Sequence, residues 1–120
     1  MKKSVAVLFS VLLLVGCGAE VSNQQLIEPW KPSTIQEWTI VSFYEGKQVE
    51  NPDSSLKALQ ILLARKGVAA KVIHQDIDEK EGFRDVLQVE AGHVIVIDHQ
   101  GIRFKASSVS MLEGMILEQL

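Results

Sequence analysis

Trp38-Thr39-Ile40-Val41-Ser42-Phe43-Tyr44, a helical stripe of Leu56, Leu59, Leu62 and Leu63, and a second apolar run around Val72-Ile73 decide the fold. The first run is β-branched and aromatic, which suits a strand with one or both faces covered. Glu45-Gly46-Lys47 ends it. Asn51-Pro52-Asp53-Ser54 then reads as a helix start: Asn51 caps, Pro52 occupies the first helical position and Asp53 faces the positive end of the dipole. Ile61 and Ala58 are expected to widen the leucine stripe, as in a helix lying flat on a sheet. Gly67 is the residue expected just past the helix C-terminus. Val68 to Asp76 reads as the second strand. A strand, a helix and a strand joined by short turns predict a parallel pair with a right-handed crossover.

Downstream, Glu79 to Val89 forms a short amphipathic segment with Phe83, Val86 and Leu87 on one side, interrupted by Gly82. Ala91-Gly92 closes it. His93-Val94-Ile95-Val96-Ile97-Asp98 is the most apolar strand and is predicted to be central. His99-Gln100-Gly101 is a tight turn, and Ile102-Arg103-Phe104-Lys105-Ala106 alternates as a half-exposed antiparallel partner should. Ser110 and Glu113 have capping-box spacing ahead of a terminal helix whose buried stripe is Leu112, Met115, Ile116 and Leu120.

The predicted class is therefore α/β, in the order β-α-β-α-β-β-α. Trp38 to Leu120, in this order, resembles the thioredoxin and glutaredoxin family, whose core is a βαβ unit followed by a helix, a β-hairpin and a last helix. That family's chemistry requires a Cys-x-x-Cys at the start of the first helix, where the dipole lowers the thiol pKa. The matching place here is Asp53-Ser54-Ser55-Leu56, with no thiol. The family's cis-proline falls at about His93, with no proline near it. The resemblance thus implies the fold without the redox activity. Leu59 to Val72 also resembles the βαββα modules of ring-forming secretion-system lipoproteins. The segment from Glu79 to Val89 is surplus to that topology.

N-terminal to the domain, two prolines flank a tryptophan in Glu28-Pro29-Trp30-Lys31-Pro32-Ser33, favouring an extended path. Gly18 to Gln25 is polar and unpatterned. Residues 17–34 accordingly read as a tether ahead of a domain spanning 35–120. Trp30 either pins that tether to the domain or offers an exposed contact to a partner. Met1-Lys2-Lys3 and the apolar run from Val5 to Val15 have the make-up of a secretory signal, too short for a spanning helix of roughly 20 apolar residues. The run ends in Leu14-Val15-Gly16-Cys17, which resembles the lipobox of bacterial lipoproteins. The resemblance implies cleavage between Gly16 and Cys17, diacylglyceration of the Cys17 thiol and acylation of the new amino terminus. Residues 1–16 would be the signal peptide. With Gly18 rather than Asp after the cysteine, the expected location is the outer membrane, facing the periplasm.

The chain has 12 Lys and Arg against 15 Asp and Glu, a formal charge of −3, so no basic stripe points to nucleic acid. Its 1 cysteine cannot make an intrachain disulfide. His74, His93 and His99 with Asp76 or Asp98 are the residue types of a zinc site, but His93 and His99 stand at opposite ends of one strand. Asp76-x-Asp78-x-Lys80 opens like a calcium loop, yet Lys80, Glu81 and Leu87 occupy positions that need a ligand, glycine and closing acid. Ser54 and Ser55 lack the strained elbow of a serine nucleophile. No catalytic residue, metal or cofactor is assigned. The expectation is a non-catalytic, membrane-anchored binding or envelope-assembly module with a protein partner.

Overall fold

A computed structural model describes residues 23–46 and 54–119 of the chain. In order, the elements are helix α1 (Asn23–Ile27) running into a 3-10 turn (Glu28–Trp30), β1 (Glu37–Tyr44), α2 (Ser54–Arg65), β2 (Ala69–Asp76), α3 (Gly82–Asp85), β3 (Val94–Asp98), β4 (Gly101–Ala106) and α4 (Val109–Gln119). The strands form a four-stranded mixed sheet in the order β2-β1-β3-β4. β1 and β2 are parallel, with Ile40 opposite Val72; β3 is antiparallel to both β1 and β4. Among the described residues no helix is long and apolar enough to cross a membrane.

β1 and β3 are the central strands, and both are covered on two faces. Trp38, Ile40, Val94 and Val96 point into one core; Val41, Phe43, Ile95 and Ile97 point into the other. Period-two alternation of apolar residues on both faces is what a continuous hydrophobic run produces in a strand covered on both sides. Leu56, Leu59 and Leu63 of α2 and Leu112 and Ile116 of α4 cover the first face. Ile61 is 54% exposed and Ala58 is exposed, so the buried stripe of α2 is narrower than the sequence implies. α2 terminates as expected: Gly67 has φ +86°, and its amide donates to Ala64 O at 3.1 Å.

The second face corrects the reading of 17–34 as a tether where that range is described. Leu26, Ile27 and Trp30 are core residues, buried with Phe43, Ile77, Phe83, Leu87 and Val89. Trp30 stacks on Phe83 (centroids 5.6 Å apart, 27° between planes) and meets Phe43 edge-on at 6.1 Å. Thr39, buried in β1, donates its hydroxyl to Trp30 O at 2.6 Å and fixes the turn to the sheet. The polar sequence around residues 23–25 hid this helix, because only two of its five residues are buried. Trp30 accordingly packs as a core residue, with its exposed remainder small. α3 is a single turn. Gln88, at φ +57°, re-aims the backbone so that both Leu87 and Val89 are buried.

The hairpin follows the predicted turn with one departure. Asp98 pairs with Gly101, Ile97 with Ile102 and Val96 with Phe104, so Arg103 is an extra residue in β4. A bulge moves every later side chain to the opposite face. Ile102 therefore packs into the second core while Phe104 and Ala106 pack into the first. Arg103 lies over the Trp38 ring at 4.9 Å and reaches Asp98 Oδ2 at 3.3 Å. At the terminal helix, Ser108 rather than Ser110 supplies the cap, its Oγ accepting from Met111 N at 3.1 Å. Leu120 and Asn51 to Asp53 lie outside the described residues.

Burial works against the charge of Asp98, but amide donation from Gln100 (2.8 Å) and Gly101 (3.1 Å), with Arg103 beside it, outweighs this and lowers its pKa. A depressed folded-state pKa stabilises above the unfolded value of about 3.9 and is lost as pH falls through the folded value. Asp98→Asn should thus cost about 1–2 kcal/mol at neutral pH, a difference that closes below roughly pH 4. A pH-independent gap in urea melts would contradict this. Trp30→Ala should cost about 3–5 kcal/mol, and a chain beginning at Lys31 should lose cooperative unfolding; an unchanged urea midpoint for that truncation would reinstate the tether.

Candidate functional site

In open α/β sheets, ligand crevices form beyond the carboxyl ends of the parallel strands. Here that end is built by three segments: Tyr44-Glu45-Gly46 after β1, Asp76 to Asp78 after β2, and Glu90 to His93 before β3. The strands bring them together because β1 and β2 finish in register, Tyr44 opposite Asp76. Phe43 N donates to His93 O at 3.0 Å, and Gly92 N donates to Phe43 O at 2.9 Å, extending the β1–β3 ladder into the last segment.

Arg84, projecting from α3, ties all three. Its guanidinium pairs with Asp78, with Glu90 Oε2 at 3.1 Å and with Glu45 Oε2 at 3.8 Å. Hydrogen bonds to Asp78 and Glu90 raise its already high pKa, so it is a permanent cation. Asp76 accepts from Asp78 N through Oδ1 at 2.9 Å, which makes this pair an Asx-type turn. A shallow cleft of about 150 Å³ lies between Ile77, Asp78, Lys80, Glu81, Arg84 and Asp85.

The histidines are dispersed. His74 sits on the edge strand β2, His93 precedes β3, and His99 is in the hairpin at the far end of β3. His93 Nδ1 accepts from Glu90 N at 3.1 Å. His99 Nδ1 is buried without a hydrogen-bond partner. Among the described residues no group of three or more His, Cys, Asp or Glu side chains could hold a metal ion. All described peptide bonds are trans, His93 included. Ser54 and Ser55 are exposed at the start of α2. Cys17 and Gly16 lie outside the described residues.

A second cleft, of about 240 Å³, opens at the opposite end of the sheet, where β1 and β2 begin. Pro29, Trp30, Pro32 and Trp38 form its apolar wall, with Lys31, Lys71 and Glu37 at the rim. Lys31 is engaged by Gln24 Oε1 at 3.3 Å and Glu28 Oε2 at 3.6 Å. The sequence offered no signal for this cleft, because it depends on the 3-10 turn folding back onto β1.

The Arg84 pairs are half-exposed, so their net contribution to stability should be small while their effect on loop order should be large. Arg84→Met is expected to change global stability by less than about 1 kcal/mol yet to accelerate amide hydrogen exchange across residues 77–92. Unaltered exchange there would show that the aromatic packing alone holds the segment.

No family model matches the chain, and no curated protein matches it.

Proposed function

We propose that the chain is a lipoprotein of a bacterial envelope, anchored through acylated Cys17, whose domain binds or assembles with a protein partner and carries out no reaction. The observation that carries this reading is Leu14-Val15-Gly16-Cys17 at the end of a short apolar run, in a chain whose 1 cysteine is that one. A thiol spent on lipid leaves none for electron transfer. Two or more acyl chains are what stable anchoring needs, at about 0.8 kcal/mol per buried methylene. The outer membrane, facing the periplasm, is the proposed location.

For the domain we favour a thioredoxin-like arrangement. Its support is a parallel β1–α2–β2 unit followed by a short helical turn, a β3–β4 hairpin and a last helix. A second reading, the βαββα ring-building module, gains from two observations: α3 is one turn only, and α2 and α4 pack on the same face of the sheet. That module would self-associate.

Mass spectrometry of the full chain purified from membranes should find Cys17 acylated and residues 1–16 removed. Cys17→Ser should release the folded domain or stall its processing. A bare Cys17, or normal membrane attachment of the variant, would overturn the proposal. Insulin reduction by the soluble domain would do so from the catalytic side. Sedimentation as a monomer favours the thioredoxin-like reading; closed oligomers favour the ring module.

A further inference from the structure

We infer that the lipidated domain rides against its own bilayer with one defined end inward: the end where β1 and β2 begin faces the anionic lipid headgroups, and the loop end faces away. This inference rests on the lipid-anchor reading above and adds an orientation to it.

The first argument is reach. Because α1 is part of the core, the domain extends back at least to α1 rather than starting beyond residue 34. Whatever path residues 18–22 take, the Cα atoms of Cys17 and Asn23 can be no more than about 22 Å apart. The anchor therefore cannot carry the domain across an aqueous space. It also attaches at a particular place. Gln24 lies beside the β3–β4 turn, where a carbon added to Gly101 would come 3.0 Å from its Nε2. That turn is at the same end of the sheet as the starts of β1 and β2, since β3 runs antiparallel to β1.

Charge distribution supplies the second argument. At the anchored end are Lys31, Lys71 at the level of Thr39, Arg103 and, at the end of α2, Arg65 and Lys66. Glu28 and Asp98 offset Lys31 and Arg103, and Glu37 at the start of β1 and Glu118 near the end of α4 stand at this end too, so its cationic excess is small. Ile35, just before β1, is 66% exposed there. At the other end Glu45 and the crossing from β2 to β3, with Asp76, Asp78, Glu79, Glu81, Asp85 and Glu90, stand against Lys57, Lys80, Arg84 and Lys105, which leaves that end acidic among the described residues. Eight residues of β1 separate the two ends by roughly 26 Å, well beyond the screening length of about 8 Å. An anionic surface thus attracts the near end and repels the far one, and a short tether places the near end within range.

In this orientation the loop end is the face presented to the aqueous side. The cleft lined by Trp30 and Trp38 opens toward the lipid.

The test uses the full acylated chain in vesicles of phosphatidylethanolamine and phosphatidylglycerol. With Cys17 acylated, a new cysteine is the only free thiol, so Gln100→Cys and Glu81→Cys each accept one fluorophore. A headgroup-attached quencher should quench the Gln100 probe about threefold more than the Glu81 probe, given roughly 26 Å of sheet between them. Lys66→Glu with Lys71→Glu, both exposed positions, should reduce that ratio toward its value in phosphatidylcholine vesicles. A long Gly/Ser insertion after Gly18 should bring it near one. Equal quenching of the two probes, a reversed ratio, or indifference to the charge reversals, each with Cys17 shown to be acylated, overturns the orientation and leaves the anchor standing. A bare Cys17 overturns both.

Discussion

The structure depends on a sheet whose two central strands are apolar on both faces. Strands of this kind cannot leave either side to water, because each buried aliphatic side chain is worth about 1.5–3 kcal/mol. α2 and α4 seal one face of β1 and β3. Among the described residues no long helix covers the other, and that cover is assembled from pieces: α1, the 3-10 turn, α3 and the irregular backbone to Val89. None of these pieces would be stable in isolation, since short helices are marginal in water. Trp30, Phe43 and Phe83 hold them together, with the Thr39 hydroxyl locking the turn carrying Trp30 to the sheet.

This composite cover is held together differently from the other face. The sheet is joined by regular hydrogen-bond ladders, and its two longer helices pack on it through a continuous apolar cluster. The loop end is held by the aromatic cluster beneath and by Arg84 above, whose pairs with Glu45, Asp78 and Glu90 are partly exposed. Ion pairs in that setting order loops more than they stabilise folds.

The same packing joins fold to location. With α1 built into the core, the packed domain reaches to within six residues of Cys17 in sequence. The bulge at Arg103 belongs to this end as well. By adding one residue to β4 it turns Ile102 into one core and Phe104 into the other, and sets a cation over the Trp38 ring.

Periodicity in the sequence by itself determined the four strands, α2 and α4, the parallel β1–β2 pairing and the hairpin, because each is a local pattern of 2.0 or 3.6 residues long enough to read. Their stops were readable too, at Gly67 and at His99-Gln100. The signal-like N-terminus and the resemblance of Leu14 to Cys17 to a lipobox are equally local. Only the tertiary structure decided that residues 23–30 belong to the core, that Ser108 caps α4, that Ile61 faces water and that Arg103 bulges. Leu26, Ile27 and Trp30 are too few to show a period, and their burial depends on Phe43 and Phe83, far away in sequence. The candidate site was illegible for the same reason: Glu45, Asp78, Arg84 and Glu90 become neighbours only when β1 and β2 end side by side.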